Sequence, residues 1–191
     1  EASFYCKPTA TSKSSYLYPV KFIPRSALKY LDTPGGSPEV EYTSANNLNG
    51  YPVLRYAEVL LNWIEAKAEL STLGSGSVTQ ADIDLSINKI RNRPLAQEAI
   101  DRGVQKTAPM DLAALPDDPA RDSDVPALLW EIRRERRMEF AFEHSRIVDL
   151  RRWKKLEYMD TDANVDLLVG TWVNFPAECP GDLVDGNKGK I

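Results

Sequence analysis

The stretch "YPVLRYAEVLLNWIEAKAEL" (residues 51–70) decides the fold, because its apolar residues recur at the spacing of a helix. Pro52 suits the first turn and Gly74 suits the end, so the pattern predicts a helix from residue 52 to about residue 73. Its apolar face is wide, which predicts more than one neighbour. Charged residues lie among these apolar ones, including Arg55, Glu58 and Glu65. Charges on a buried helix need opposite partners, which the rest of the sequence has to supply.

The composition is that of an ordinary globular protein, with 191 residues, 42% hydrophobic and 27% charged. A net charge of -4 disfavours general affinity for nucleic acid. No apolar run is long enough to span a membrane, and "EASFYCKPTA" (1–10) lacks the pattern of a secretory signal. Cys6 and Cys179 have no metal-ligand spacing, so two unpaired thiols and one bridge between them both remain open.

A helical hairpin is predicted over residues 51–94. Thr79 and Asp82 form a capping-box pattern ahead of a second helix at about 80–93, and Pro94 marks its end. Residues 1–50 offer one extended segment, at 16–24.

The second half of the chain alternates between loops and charged helices. Residues 101–125 are rich in proline and acids and are predicted to form a long surface loop. Residues 123–156 are predicted to form Arg/Glu-rich helices with a break near His144, and residues 157–191 an irregular tail with short strands.

Partners for the charges of the first helix lie in this second half. Glu135, Glu139 and Glu143 recur every four residues and would repel one another on one helix face, so cations should face them. The predicted cations are Arg55 together with Arg91 or Arg93, while Glu58 and Glu65 are predicted to receive Arg134, Arg137 or Arg146. The predicted network comprises Arg55, Glu58, Glu65, Arg91, Glu135, Glu139, Glu143, Arg146 and Asp149. The alternative is that these charges coat a solvated face, which we expect for about half of the arginines in "RRERR" (133–137).

Three segments in this order resemble the C-terminal half of the SusD/RagB family, the surface glycan-binding lipoproteins of Bacteroidetes. They are residues 51–70, "INKIRNR" (87–93) and "RRERRMEFAFEHSRIVDLRRWKKL" (133–156). One departure is His144, which stands where members commonly have glycine. Another is "RNRPLAQ" (91–97), where many members have an Ala-Gly turn.

The resemblance implies a mainly α fold, in which a tetratricopeptide-like helical scaffold carries long irregular loops and a few short strands. Residues 1–191 would then be the C-terminal region of a longer protein whose N-terminal half carries further scaffold helices. The resemblance also implies lipid anchoring at the outer membrane, on the extracellular face, with a SusC-like TonB-dependent transporter as partner. The expected function is capture of an oligosaccharide nutrient. Peptide binding in the same architecture and a helical protein-protein interaction scaffold are the alternatives.

The sequence offers no recognisable catalytic constellation, so we expect no enzyme. His144 is the single histidine, and Glu58 and Glu65 lie roughly 10 Å apart on one helix, too far for a retaining glycosidase pair. No cofactor is expected. Calcium is the weaker alternative at "DTDANVD" (160–166), which lacks the glycine of a calcium loop; its oxygen-bearing residues are Asp160, Asp162, Asn164 and Asp166. An ordinary acidic turn is favoured there.

Aromatic side chains can stack on sugar rings, and those in irregular segments are the candidates for ligand contact. They are Tyr158, Trp172 and Phe175. Trp63, Trp130 and Trp153 fall in helical motifs and are predicted to lie in the core.

Overall fold

The structure is a computed structural model that describes residues 21–22, 50, 52–168, 172–173 and 189–190. One compact unit is Pro52–Arg146, and the described residues from Ile147 onward belong to another. The helices are α1 Tyr56–Thr72, α2 Gln80–Leu85, α3 Ile87–Arg91, α4 Gln97–Asp101, α5 Ala127–Glu139 and α6 Ser145–Arg152. The mainly α fold class is therefore confirmed.

Shorter helices and strands lie in or next to the segments that were predicted to be irregular. Among the described residues, three 3-10 helices occur, at Leu112–Ala114, Leu156–Met159 and Val165–Leu168. Two short strands, β1 Trp172–Val173 and β2 Gly189–Lys190, pair antiparallel with Trp172 opposite Lys190. Cys6, Cys179 and most of the segment 16–24 lie outside the described residues. Lys21 and Phe22 form a turn.

Helix α1 begins four residues later than the sequence pattern predicts. Arg55 is its N-cap and has an extended backbone, with φ -120° and ψ 151°. Gly74 follows the last turn in the left-handed conformation, with φ 80°, which glycine adopts without steric cost. The inward face of α1 buries Ala57, Leu61, Ile64, Glu65 and Ala68.

The hairpin forms, but its second helix is divided in two. The capping box at Thr79 and Asp82 is confirmed, with each side chain bonding the other's backbone N–H. Ser86 separates α2 from α3 because its hydroxyl donates to the carbonyl of Asp82 at 2.6 Å and competes with the helical hydrogen bonds. Ile83 and Ile87, one on each side of the break, are fully buried.

The core of the unit Pro52–Arg146 lies between the hairpin and α5, which packs on α1. Leu129, Ile132 and Phe140 from α5 and its end meet Leu61 and Ile64 from α1. Burying each such side chain stabilises the unit by about 1.5–3 kcal/mol.

The segment between α4 and α5 is tied to the hairpin by side-chain amides. Asn88 accepts from the N–H of Met110 at 2.6 Å and donates to its carbonyl at 3.0 Å. Gln80 accepts from the N–H of Leu112 at 2.8 Å. Because Asn88 and Met110 are both buried, these bonds satisfy backbone groups that water cannot reach. The predicted loop thus has a fixed anchor.

The connection between α5 and α6 turns at Phe142, whose φ is 64°. Position 144, where the resembled family commonly has glycine, is not among the described residues with positive φ. His144 therefore replaces that glycine without entering the left-handed region.

Candidate functional site

Arg55 joins the start of α1 to the end of α5. Its guanidinium donates to Glu139 Oε1 at 2.6 Å and to the Glu139 carbonyl at 3.1 Å. It also donates to both carboxylate oxygens of Glu143, at 3.0 and 2.6 Å, and lies 5.2 Å from the centre of the Phe140 ring. Burial alone would lower the pKa of Arg55, but the hydrogen bonds that it donates to Glu143 and Glu139 outweigh burial and raise that pKa. Arg55 is therefore firmly charged and nearly encircled.

The hairpin supplies two further cations to glutamates of α5. Arg91 donates to Glu135 at 2.7 and 3.0 Å, and to the carbonyl of Ala108 at 2.8 Å. Arg93 donates through two nitrogens to the carboxylate of Glu139. We call Arg55, Arg91, Arg93, Glu135, Glu139 and Glu143 the Arg-Glu network. The predicted charge register between α1, the hairpin and α5 is therefore present in the structure.

Glu65 is bound by a different arginine from those predicted. Its partner is Arg136, at 3.5 Å, and both side chains are about 4% exposed. Arg136 also donates to Asn62 at 2.6 Å. Arg136 was not among the arginines predicted for Glu65; it lies on the face of α5 that also carries Leu129 and Ile132. That helical spacing is the signal that identifies it.

Three further residues were predicted as members of the charge network: Glu58, Arg146 and Asp149. Glu58 is half-buried, and no ion pair to it occurs within the part of the chain that the structure describes. Arg146 is half-buried as well. Asp149 is buried on α6 and accepts from Arg152 at 2.9 Å.

A pair that the sequence analysis missed connects α1 to the capping box. Lys67 lies 2.6 Å from Asp82. This ammonium, together with the hydroxyl and N–H of Thr79, lowers the pKa of Asp82 to about 2. The same carboxylate therefore caps α2 and pairs with α1.

Glu131 is the least satisfied buried carboxylate of the described residues. It is 1% exposed, and its Oε1 atom has no hydrogen-bond partner. The nearest cation, Arg134, is 3.6 Å away, beyond hydrogen-bond distance.

The three tryptophans of the helical motifs differ in their exposure. Trp153 is buried, and Trp130 is partly buried on the core with its indole N–H donating to Asp118 at 2.9 Å. Trp63 is 42% exposed, so its predicted place in the core was wrong; it lies on the face of α1 opposite the buried one.

Of the three residues predicted to contact a ligand, two lie among the described residues. Tyr158 is half-buried in the 3-10 helix Leu156–Met159, and Trp172 belongs to β1. Phe175 lies outside the described residues.

The acidic turn is stabilised by its own side chain. Asp160 Oδ1 accepts from the N–H of Asp162 at 2.9 Å and of Ala163 at 3.4 Å, the bonding of an Asx turn. Across the described parts of the chain, no three His, Cys, Asp or Glu side chains come together as a metal site. Nor does any helix described there have the length and apolarity to cross a membrane.

Comparison with known proteins adds one match. A sequence model of the SusD family (SusD_RagB) matches residues 6–173, most of the chain. No curated protein and no solved structure matches the chain. The three motifs of the resemblance, at 51–70, 87–93 and 133–156, all lie inside the matched range. Together with the mainly α fold and the helix register that the Arg-Glu network sets, the match shows that this chain belongs to the SusD family.

Proposed function

We propose that the protein captures an oligosaccharide nutrient outside the bacterial cell, at a lipid-anchored position on the outer membrane. It would deliver this ligand, chemically unchanged, to a SusC-like TonB-dependent transporter. The family match over residues 6–173 carries the proposal. SusD family proteins are nutrient-binding surface proteins, are generally non-catalytic, and work with SusC-like transporters.

The helical part of the structure is suited to binding a ligand without catalysing a reaction. Arg55 bonds residues 84 and 88 positions away in the chain, and Asn88 bonds Met110 from 22 positions away. Such long-range polar contacts fix irregular segments before a ligand arrives. Preorganised segments lose less conformational entropy on binding, which raises affinity.

Aromatic residues outside the core helices are the proposed sugar contacts. Tyr158, Trp172 and Phe175 lie close together in the sequence, after the last α-helix. An aromatic face stacks on the apolar face of a pyranose ring and gains contact area at little cost in side-chain entropy. Neutral sugars need no charged partner.

The charged residues support the frame and leave little for acid-base chemistry. Glu65 is engaged by Arg136, and Glu139 and Glu143 are engaged by Arg55. A carboxylate that is bonded to a guanidinium within the frame has these oxygens engaged in structural contacts. We therefore propose binding without turnover.

A glycan array followed by calorimetry on the full-length protein tests this proposal. We expect at least one oligosaccharide class to bind, and Trp172→Ala to weaken that binding about tenfold. Trp172→Phe keeps an aromatic face and should retain most of the affinity. Phe142→Ala is the control, since Phe142 is an exposed aromatic residue between α5 and α6.

Two other outcomes would contradict the proposal. Binding of peptides but of no glycan would assign the peptide function instead. A folded protein that binds neither, yet holds another protein, would indicate an interaction scaffold.

A further inference from the structure

Residues 101–109 form an exposed run that contains basic residues. All nine are exposed, and residues 104–109 belong to no helix or strand. The runs 72–77 and 159–165 are exposed as well, but neither contains lysine or arginine. Exposed segments of irregular backbone are the preferred sites of proteolytic cleavage. A protease that cleaves after basic residues would therefore find two candidate bonds in this run, after Arg102 and after Lys106.

Helix α4 ends in a hydrogen-bonded turn that protects the bond after Arg102. Gly103 is left-handed, with φ 77°, and its N–H donates to the carbonyl of Ile100 at 2.9 Å. The N–H of Val104 donates to the carbonyl of Ala99 at 2.9 Å, which completes a Schellman motif. Because the peptide bond between Arg102 and Gly103 lies inside this turn, a protease would have to unwind the turn before it could cut there.

The bond after Lys106 is held less firmly. Its N–H belongs to Thr107 and has no hydrogen-bond partner among the described residues. The Lys106 ammonium donates to the carbonyl of Asn92 at 3.0 Å, and Arg91 donates to the carbonyl of Ala108 at 2.8 Å. Both of these bonds are exposed, so water can replace them when the chain is drawn into a protease. Of the two bonds, the one after Lys106 is therefore the more accessible.

The core does not depend on the continuity of this run. The first buried residue after it is Met110, whose N–H donates to Asn88 at 2.6 Å and whose carbonyl accepts from Asn88 at 3.0 Å. Leu61 and Ile64 of α1 belong to the same core cluster as Ile132 of α5, and the Arg-Glu network joins the same two parts of the chain. All of these contacts connect residues before position 106 with residues after it. They would remain after a cut at that position.

We propose that the peptide bond between Lys106 and Thr107 is a processing site for a protease that cleaves after lysine, and that the cut protein stays assembled. The reaction is hydrolysis, with water as the co-reactant. The carbon–nitrogen bond breaks, the water oxygen bonds to the carbonyl carbon of Lys106, and a carboxylate forms. Both water protons end on the nitrogen of Thr107, which becomes an ammonium. The inference is independent of the proposed sugar binding.

Limited digestion of the full-length protein with trypsin, followed over time by mass spectrometry, tests where the chain is cut. Among the lysines and arginines of residues 52–168, we expect the first cut after Lys106. Lys106→Gln should slow cleavage within residues 101–109 about tenfold, because only the protected bond after Arg102 then remains. Lys89→Gln is the matched control, since Lys89 is also exposed but lies within α3, and it should leave the rate unchanged.

Size-exclusion chromatography of the cut protein tests whether the pieces stay together. Without denaturant they should elute as one species, and in urea as two. The melting temperature of the cut protein should rise with protein concentration, because its unfolding releases two chains, whereas that of the uncut protein should not. Arg55→Met should reduce the share of cut protein that stays assembled, because Arg55 lies on one piece and its partners Glu139 and Glu143 lie on the other.

Three results would overturn the inference. The first is a protein, folded by circular dichroism, that is cut elsewhere in residues 52–168 while the bond after Lys106 stays intact. The second is equal cleavage of residues 101–109 in Lys106→Gln and in the unchanged protein. The third is separation of the two pieces in the absence of denaturant.

Discussion

Replacing Arg55 by methionine removes the guanidinium that bonds Glu139 and Glu143 and keeps most of the side-chain volume. The two carboxylates are only 8% and 10% exposed, so they would lose a buried cation. Removing one partner of a buried pair costs about 3–5 kcal/mol. Glu139 keeps Arg93, so we expect the lower end, about 3 kcal/mol, in the free energy of unfolding.

Urea unfolding followed by circular dichroism measures this change, and the melting temperature should fall by about 6–12 °C. Arg137→Met is the matched control, because Arg137 is exposed on α5 and should change stability by less than about 0.5 kcal/mol. Arg55→Met combined with Glu143→Gln should cost less than the sum of the two single changes, since both remove the same contact. Equal effects of Arg55→Met and Arg137→Met would refute the assignment of Arg55 as a buried connector.

Three further predictions follow from single contacts. Glu131→Gln should raise the melting temperature, because it removes a buried charge whose Oε1 has no hydrogen-bond partner; a lower melting temperature would contradict this. The pKa of Asp82 is about 2 in the folded protein, below its unfolded value of about 3.9, so its contribution to stability is full above pH 4 and is lost as the pH falls toward 2. Asp82→Asn should therefore destabilise the protein at pH 7 and make little difference near pH 2, as measured by urea unfolding across that range. Asn88→Ala should cost about 1–3 kcal/mol and speed proteolytic cleavage near Met110, because it frees buried backbone groups; an unchanged cleavage pattern would oppose this.

Helix existence could be predicted from the sequence, but helix bounds could not. The apolar spacing in residues 51–70 indicates α1, yet Pro52 places its start too early. The extended backbone at Arg55 accompanies contacts with Glu139 and Glu143, far along the chain. The local sequence pattern that marks the start of a helix contains no information about such a long-range contact.

The second helix shows a similar limit. Its apolar spacing continues through Ile83, Ile87 and Ile90, which predicts one helix. The break depends on the direction of the Ser86 hydroxyl, which bonds backward to Asp82. Serine is compatible with both a continuous and a broken helix, so the pattern cannot distinguish them.

Part of the charge pairing could be predicted from the sequence. Glutamates every four residues indicate a face that needs cations, and Arg55 and Arg91 lie there in the structure. Arg136 was missed because a charge count treats the "RRERR" arginines alike, although only one of them follows the Leu129 and Ile132 spacing.

The exposure of Trp63 could not be predicted from the apolar spacing of α1. With both faces of α1 apolar, periodicity cannot say which face is the core.

The candidate ligand contacts have no comparable pattern. Sugar recognition depends on where aromatic faces point, and sequence spacing fixes that direction only in helices and strands. Tyr158 and Phe175 therefore remain proposals from residue type and position.

The most direct test of the proposed function is calorimetric titration of the full-length protein with the oligosaccharide that an array selects, followed by mass spectrometry of the recovered ligand. The account predicts saturable heat and a ligand recovered with unchanged mass. Shortened sugars among the recovered products, or no heat with any oligosaccharide, would contradict it.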